Sequence, residues 1–582
     1  MAILHDQLKL QASEIIIKSI NKSYPEAKIN LEEVYKGLGS TPNPAMGHLA
    51  FACFPLAKAL RSGPPQIATK LLENIQENPL IEKAITQGPY LNFFINTAKV
   101  AETLLPSILD HKFFSTKLKE SAPKTIIEFS QPNTHKELHV GHMRNLCLGD
   151  AIIKLHRYCD YPTISTTFPG DVGTHVAKCL WYYTKHNKET PPENRKGAWL
   201  GTLYTKGNNL LEDQKGTEKE EENRKELTAI LKQLEAKSGS YYDMWIETRQ
   251  WSIELMNEVY SWANVNFDSW YWESDVDSSS VELVKEYQKK GLFIEDQGAV
   301  GIDLSDDKLG FCLLLKSDGT GLYATKDIEL ARRKFEDHKV EKSIYVVDNR
   351  QSHHFKQVFK VLEKMGFENA KNCYHLQYEM VELTDGAMSS RKGNIVALQD
   401  LIDNMILKIK TDYLAKYKDE WTQKDIDKTA NIVASGAIKY GMTRVDSNKK
   451  IVFDMAEWLK LDGESGPYIQ YVYARINSLV NKIGMPANFD SKNLTHEIEK
   501  QIILKLSEFN TVVLEACENY KTHLLTGYLY ELAKLFNSFY AECSVANAEE
   551  ETKNARVYLC KSVATTLKEG LSLLGIEAPD KM

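Results

Sequence analysis

The stretch that decides the fold is KTIIEFSQPNTHKELHVGHMRNLCLGDAIIKLHRYC, residues 124–159. Its beginning, TIIEF, is apolar and β-branched, as is typical of a buried strand, and the sequence after HVGH has the apolar spacing of a helix. Lys136, His139, Gly141 and His142 lie between the two. In open α/β sheets the strand-to-helix junction lies at the ligand-binding edge, so we expect these four residues to face a ligand.

The residue types at this junction suit a nucleotide. A helix N-terminus favours anions, and Gly141 lets a nucleotide approach the backbone closely. The imidazoles of His139 and His142 and the ammonium of Lys136 can donate hydrogen bonds to phosphate oxygens during displacement at phosphorus. Two alternatives stay open on this motif alone: a zinc site that includes His135, and a surface cluster of histidines without a role. The HxGH pattern also occurs in nucleotidyltransferases.

The composition is that of an ordinary globular protein with several domains. The chain has 582 residues, of which 43% are hydrophobic and 26% charged, and no apolar stretch approaches the roughly 20 residues that span a bilayer. The beginning, MAILHDQLKLQASEIIIKSI, has the pattern of an amphipathic helix rather than of a signal peptide. We therefore expect a cytoplasmic protein without membrane contact.

Cysteine usage and charge exclude further classes of protein. The nine cysteines are scattered and form no CxxC pair, which disfavours zinc sites and disulfides and indicates a reduced compartment. The net charge is −7. Any RNA partner must therefore be held by local basic patches, since the field of the whole protein opposes it.

Three parts follow from the patterning along the chain. Residues 1–112 predict a small α+β domain. In residues 113–445 short apolar strands alternate with longer helical stretches, which predicts a parallel sheet with a helical insertion at about 185–265. The charge run of that insertion is typical of a solvated helix face. Residues 446–582 predict an all-α domain, and strand signals cease after about residue 440.

A second motif occurs in LTDGAMSSRKGNIVALQDLID, residues 383–403. It is a polar loop with two cations before a helix, suited to closing over a polyphosphate, and its residues of interest are Met388, Ser389, Ser390, Arg391 and Lys392. Alone it is an ordinary basic turn. Together, HVGH and MSSRK resemble the HIGH and KMSKS signatures of class I aminoacyl-tRNA synthetases, in the same order.

The resemblance to the arginyl-tRNA synthetase family extends over nearly the whole chain. Six blocks carry it: EFSQPNTHKELHVGHMRN, FPGDVGTHVAK, DGTGLYATKDIELARRKFE, YVVDNRQSHHFKQVF, GESGPYIQYVYARI and LSLLGIEAPDKM. It implies a Rossmann-type catalytic domain and an arginine–tRNA ligase. Such an enzyme activates L-arginine with ATP to arginyl-adenylate and pyrophosphate, and transfers arginine to the 3′-terminal ribose of tRNA(Arg). It further implies Mg²⁺ with ATP, tRNA-dependent activation and a monomer.

The same resemblance assigns residues to the substrates. It assigns arginine binding to Glu128, Asn133, Tyr323, Asp327 and Gln351. A carboxylate such as Asp327 can bind a guanidinium with two hydrogen bonds, and Tyr323 offers a flat neighbour. Without the resemblance, Tyr323 could be a core residue and Glu128 a satisfied buried carboxylate.

ATP binding and catalysis are assigned to both motifs. The resemblance assigns ATP binding to His139, Gly141, His142, His354, Met388 and Ser389. It assigns catalysis to Lys136, His139, His142, Ser389, Arg391 and Lys392. Two departures from the family pattern stand out. Val172 replaces a tryptophan in GDVG, and Ala387 and Ser390 occupy the positions of the two KMSKS lysines. Lys136 therefore becomes the residue expected to neutralise the ATP phosphates.

The resemblance also places the tRNA on the two outer domains. The N-terminal domain resembles the one that contacts the tRNA elbow near the D-loop, and the helical domain resembles the anticodon reader. Aromatic side chains suit the reading of single-stranded bases, and the candidates are Tyr471, Tyr530, Tyr540 and the terminal Met582. These tyrosines could equally be core residues. Two other functions stay open: another class I synthetase, such as a cysteinyl or glutamyl enzyme, and an inactive tRNA-binding paralogue.

Overall fold

The computed structural model describes residues 4–119, 121–383, 386–387 and 397–582. The N-terminal part combines a four-stranded antiparallel sheet, in the order β1-β2-β4-β3, with five helices. Its elements are α1 (Leu4–Ser23), α2 (Leu31–Gly37), β1 (Leu38–Ser40), β2 (Leu49–Ala52), α3 (Ala57–Leu60), α4 (Pro64–Leu72), β3 (Ile81–Gln87), β4 (Tyr90–Ile95) and α5 (Thr97–Leu109). Apolar side chains such as Ile16, Phe51 and Phe93 are buried between sheet and helices, as the predicted α+β domain requires.

A five-stranded parallel sheet forms the centre of the chain. Its strands are β5 (Thr125–Glu128), β6 (Thr163–Thr167), β7 (Ser269–Trp270), β11 (Lys342–Asp348) and β12 (Cys373–Tyr378), in the order β12-β11-β5-β6-β7. The order reverses between β5 and β11, and ligands of open α/β sheets bind at the carboxyl ends of the strands at such a reversal. HVGH follows β5 directly, so the sheet topology places the first motif at this point.

Helices cover this sheet and connect its strands. They are α6 (Val140–Tyr158), α7 (Thr174–Lys185), α11 (Glu273–Lys289), α12 (Tyr323–His338), α13 (Ser352–Lys364), α14 (Leu398–Ile409) and α15 (Gln423–Thr443). Between α7 and β7 lies the predicted helical insertion, which consists of α8 (Lys196–Asp213), α9 (Lys219–Glu235) and α10 (Ser240–Trp262). A small antiparallel sheet, β8 (Ile294–Asp296), β9 (Ala299–Asp303) and β10 (Phe311–Leu315), separates α11 from α12.

The C-terminal part is helical, as predicted. Its helices are α16 (Met455–Trp458), α17 (Gly466–Ile483), α18 (Glu497–Ser507), α19 (Phe509–Glu518), α20 (Thr522–Glu542) and α21 (Glu550–Leu573). Leu532, Phe536 and Phe539 form part of a buried stripe on α20. Among the residues that the structure describes, no helix is both long enough and apolar enough to cross a membrane.

One prediction about strands is wrong. Residues 451–453 lie in the range predicted to be all-helical, yet they form β15 (Ile451–Phe453), which pairs in parallel with β13 (Val381–Leu383). β13 also pairs with β14 (Gly386–Ala387). The apolar triplet IVF is too short to show the period of a strand, and its partner lies far away in the sequence.

Candidate active site

His139 and His142 lie at the start of α6, where the sequence predicted them. His139 is the N-cap residue, and its Nδ1 accepts a hydrogen bond from the amide of Gly141 at 3.1 Å. A Cβ at Gly141 would lie 3.0 Å from the His139 ring, so glycine lets that ring fold back over the helix start. The Nδ1 of His142 accepts a hydrogen bond from the amide of His139, and the ring centroids are 3.9 Å apart. Since each Nδ1 is an acceptor, each neutral ring carries its proton on Nε2.

Burial keeps both imidazoles neutral at physiological pH. It lowers the pKa of His139 to about 4, and the charges of Lys136 and Arg350 act in the same direction. Burial also lowers the pKa of His142 well below its usual value, aided by His139 and Lys136. A neutral pair can donate hydrogen bonds to phosphate but cannot neutralise it, so a nearby cation has to supply the charge.

Lys136 is that nearby cation. It lies in the loop before α6, with its Nζ 4.9 Å from the centre of the Tyr204 ring. Burial and the charge of Lys178 lower the pKa of Lys136, whereas the charge of Glu273 raises it. Lys136 therefore interacts electrostatically with the histidine pair and with Glu273 at the same time.

His135 does not join the histidine pair. It is fully buried, and its ring nitrogens lie 2.9 Å from Thr134 Oγ1 and 2.8 Å from Thr248 Oγ1. Burial lowers its pKa to about 3, so the neutral ring fixes the motif loop to α10. The three histidines therefore do not form a joint zinc site, and the described ranges contain no group of three or more His, Cys, Asp or Glu that could hold a metal ion.

The second motif lies outside the described residues, and with it the candidates Met388, Ser389, Ser390, Arg391 and Lys392. The chain on both sides of it contacts the helix of the first motif. After it, Ala397 forms a bridge with His139. Before it, Arg144 of α6 donates a hydrogen bond to the carbonyl of Met380 at 3.3 Å. The segment that carries the second motif therefore begins and ends at α6.

Arg144 is a positioning residue that the sequence reasoning missed. Its side chain is buried, and its guanidinium donates to four backbone carbonyls, those of Met380, Asp446, Ser447 and Lys449, at 2.8–3.5 Å. Burial lowers its pKa to about 10. One side chain thus joins α6 to the strand before the second motif and to the loop before β15. The sequence offered no signal for it, because α6 carries other charged residues such as Asp150 and Lys154.

A cavity of about 220 Å³ lies between the helical insertion and helices α11 and α12. Its lining includes Val172, Tyr242, Trp245, Glu273, Asp277, Tyr323 and Lys326. The predicted residue Tyr323 is 70% exposed. Burial raises the pKa of Glu273 to about 7, while the charge of Lys326 acts to lower it. Carboxylates beside an aromatic ring suit a guanidinium.

Asn133 lies next to this cavity. It pairs with Gly170 in an isolated parallel bridge. A Cβ on Gly170 would collide with Oδ1 of Asn133 and lie 3.4 Å from Cδ of Glu273. Asn133 and Glu273 are therefore neighbours on the two sides of Gly170, and a larger residue there would displace the Asn133 amide. Sequence reasoning missed Glu273, because YWESDVD has no pattern that distinguishes it from a surface helix start.

Asp327 and His354, predicted for arginine and for ATP respectively, contact each other. The Nε2 of His354 lies 2.5 Å from Oδ2 of Asp327. Burial acts to lower the pKa of His354, but the hydrogen bond and the charge of Asp327 outweigh it and raise that pKa. The Nε2–H of His354 therefore donates to Oδ2 of Asp327, and Oδ1 of Asp327 has no hydrogen bond to another described residue.

Glu128 and Gln351 lie at the ends of neighbouring parallel strands. Glu128 ends β5, is buried, forms an ion pair with Lys334 and accepts a hydrogen bond from Gln131 at 3.1 Å. Both its oxygens thus have partners inside the protein, and its contact with a ligand stays a prediction. Gln351 follows β11 and is exposed at the ligand-binding edge.

Comparison with known proteins identifies the family. A family model described as "tRNA synthetases class I (R), catalytic domain" matches residues 104–455. Models described as "Arginyl tRNA synthetase N terminal domain" and "DALR anticodon binding domain" match residues 11–95 and 469–582. This chain belongs to the arginyl-tRNA synthetase family.

Individual members of the arginyl-tRNA synthetase family agree with this. The arginine–tRNA ligase of Bdellovibrio bacteriovorus is 56% identical over 100% of both chains, and that of Halothermothrix orenii is 34% identical over 95% of this chain and 97% of its own. The Thermus thermophilus arginyl-tRNA synthetase structure superposes with a TM-score of 0.78 at 26% identity, over 98% of this chain and 99% of that one. The family resemblance and the predicted fold class are therefore confirmed.

One of the tyrosines predicted to contact RNA in the synthetase contacts an arginine, and a second lies on the same helix as that arginine. Tyr540 of α20 is 38% exposed, and the guanidinium carbon of Arg475 lies 3.8 Å from the centre of its ring. Tyr471 precedes Arg475 by one turn of α17. An arginine stacked on an exposed tyrosine suits single-stranded bases, which stack on both residue types.

The other two predicted RNA contacts lie elsewhere. Tyr530 packs against Tyr468, with ring centroids 5.7 Å apart. The carbonyl of Met582 accepts a hydrogen bond from the hydroxyl of Tyr417 at 3.1 Å. The terminal residue is thus held against the segment between α14 and α15, and its contact with tRNA stays a prediction.

Proposed function

We propose that this protein is an arginine–tRNA ligase whose active site lies where the strand order reverses between β5 and β11. The observation that carries the proposal is that Lys136 links two parts of the site electrostatically. The first part is a pair of neutral imidazoles at the start of α6, whose Nε2–H groups have no hydrogen-bond partner among the described residues. The second part is the cavity with Glu273 and Tyr323 in its wall. Lys136 interacts electrostatically with both.

The first step joins arginine to AMP. An oxygen of the arginine carboxylate attacks the α-phosphorus of ATP, the bond to the β-phosphate breaks, and pyrophosphate leaves. His139 and His142 donate hydrogen bonds to phosphate oxygens, and Lys136 compensates the charge that builds up there. The Arg391 and Lys392 cations are proposed to assist from the second motif. Positioning and electrostatic stabilisation carry this reaction, which needs no covalent enzyme intermediate.

Arginine is proposed to place its guanidinium in the cavity. Glu273 and the free oxygen of Asp327 would accept its hydrogen bonds, and Tyr323 would cover its flat face. Asn133 and Gln351 would hold the amino and carboxyl end of the substrate. A lysine substrate carries a compact ammonium that cannot fill two separated acceptors, which supplies the selectivity.

The second step transfers arginine to tRNA(Arg). The 2′-hydroxyl of the terminal ribose attacks the arginyl carbonyl carbon, and AMP leaves. The N-terminal domain is proposed to contact the tRNA elbow, and α17 and α20 the anticodon. Magnesium would enter as part of the ATP substrate and stay on its phosphates. The monomeric state and the cytoplasmic location stay predictions.

ATP–pyrophosphate exchange with each of the twenty amino acids, run with and without tRNA, tests the proposal. We expect exchange with arginine alone, and only when tRNA is present. Exchange driven by a different amino acid would show that the cavity has another ligand. Absence of exchange together with retained tRNA binding would identify an inactive paralogue.

A further inference from the structure

The ammonium of Lys326 lies beside two carboxylates of the cavity, those of Asp277 and Glu273. It belongs to α12, three residues after Tyr323, and its Nζ lies 3.1 Å from Oδ1 of Asp277 and 3.8 Å from Oε2 of Glu273. The side chains of Lys326 and Glu273 are only 12% and 10% exposed, whereas that of Asp277 is 39% exposed. A buried cation therefore stands where the guanidinium of the substrate is expected.

The charge of Glu273 depends on this cation. Burial raises the pKa of Glu273, and the charges of three further carboxylates, Asp171, Asp277 and Asp327, raise it further. Lys326 is the group that acts to lower it. Burial acts in the same way to lower the pKa of Lys326, but attraction to Glu273 and Asp277 outweighs it and raises that pKa. Each group thus favours the charged form of the other.

The neighbouring carboxylates have other partners. Asp171 forms an ion pair with Arg249 at 2.7 Å, and Asp327 accepts from His354. The titratable and charged groups that face Glu273 or the cavity, from all elements around it, are Lys136, Asp171, Glu235, Lys237, Tyr242, Asp277, Lys316, Tyr323, Lys326 and Asp327. Lys326 is the cation in contact with Glu273.

We propose that Lys326 is a positioning residue of the arginine pocket, which favours the carboxylate form of Glu273 in the empty enzyme and yields this carboxylate to the guanidinium when arginine binds. The two distances support this order of events, because the shorter contact is to Asp277 and the longer one to Glu273. Lys326 can therefore stay with Asp277 while Glu273 turns to the substrate. The inference rests on the proposed function, since it assumes that arginine occupies this cavity.

The pH dependence of arginine binding distinguishes this role from packing. A guanidinium binds to ionised Glu273, so KM for arginine falls as pH rises through the pKa of this residue. Without Lys326 that pKa is higher, and the fall in KM moves to more alkaline pH. A shift of one pKa unit changes KM about tenfold at a pH well below both values, and about three- to six-fold between them.

The experiment measures kcat and KM for arginine from pH 6 to pH 9 in the complete tRNA-dependent reaction, for the wild type, Lys326→Met and Lys326→Arg. For Lys326→Met we expect an increase in KM of about fivefold at pH 7, an alkaline shift of the KM profile by about one unit, and a much smaller change in kcat. Lys326→Arg should restore the wild-type profile, since it keeps the cation. Lys326→Gln provides a second neutral variant if the methionine variant does not fold.

Each outcome bears on a different claim. A KM profile with the same midpoint in the wild type and in the folded neutral variants would overturn the role of Lys326, even if KM rises, because lost packing does not move a titration. A wild type that does not activate arginine would refute the proposed function, and the inference with it.

Discussion

His139 of HVGH has a structural role through one ring nitrogen and a proposed chemical role through the other. Nδ1 of His139 caps α6, and its Nε2–H is the donor proposed for phosphate. The oxygen of asparagine can occupy the position of Nδ1, and asparagine is a preferred N-cap residue. His139→Asn should therefore keep the thermal stability of the wild type and lower the rate of arginyl-adenylate formation by about 10²–10³, measured by pyrophosphate exchange with tRNA.

His139→Gln is the matched control. Its longer side chain brings the amide near the position of Nε2, so it should retain more activity than asparagine. It should also lose about 1 kcal/mol of stability, because the cap is gone. If both variants lose activity equally, the donor on Nε2 is not what phosphate binding requires.

At this scale the sequence predicts residues that belong to motifs and misses those that depend on contacts between elements. Lys136, His139 and His142 follow from one short stretch. Glu273 and Lys326 lie on α11 and α12, and their ion pair exists only because these helices pack together. Asp277 was missed for the same reason. No periodicity or spacing reports a contact between helices that far apart in the sequence.

At the scale of elements, the seating of α6 on the central sheet depends on one glycine. A Cβ on Gly149 would overlap the ring of Phe129, the residue that follows β5. The helix that begins with HVGH can approach the strand closely only without a side chain at this position. Gly149→Ala should therefore destabilise the protein by about 1–3 kcal/mol, seen as a lower denaturation midpoint, and should also reduce adenylate formation because the helix start moves.

Gly527 provides the matched control for this substitution. It lies in α20, and a Cβ there would meet nothing within 4 Å. Gly527→Ala should stabilise the protein by about 0.5–1 kcal/mol, since alanine favours a helix. If both substitutions changed stability in the same direction, the close approach of α6 to Phe129 would not be what Gly149 provides.

At the scale of the whole molecule, the sequence predicts the central sheet and the C-terminal helices, but not the contacts between segments that are far apart in the chain. Alternating strands and helices predicted the central sheet, and amphipathic spacing predicted the C-terminal helices. The parallel pairing of β13 with β15 and the four carbonyls bound by Arg144 join segments far apart in the chain. Such contacts are products of packing, and a local pattern carries no information about them.

Lys439 contacts the helical insertion, α6 and the C-terminal tail at the same time. It is buried in α15, and its ammonium donates to the carbonyls of Ala263, at the end of the insertion, and of Gly575, in the C-terminal tail. Its Nζ lies 3.8 Å from a carboxylate oxygen of Asp150 in α6. Burial lowers the pKa of Lys439, and the charge of Asp150 opposes this. One ammonium thus bridges the insertion, the helix of the first motif and the tail.

Lys439→Met should break this bridge. It leaves two carbonyls without their donor and Asp150 without one of its two cations, which should cost about 3–5 kcal/mol. In calorimetry we expect a lower melting temperature, and in amide hydrogen exchange faster exchange both in α6 and in the residues after α21. Lys154→Met is the control, because Lys154 also pairs with Asp150 but is partly exposed, and it should cost only about 1 kcal/mol. Equal effects of the two variants, or faster exchange confined to α15, would show that Lys439 is a local packing residue and that another contact couples the tail to the active-site helix.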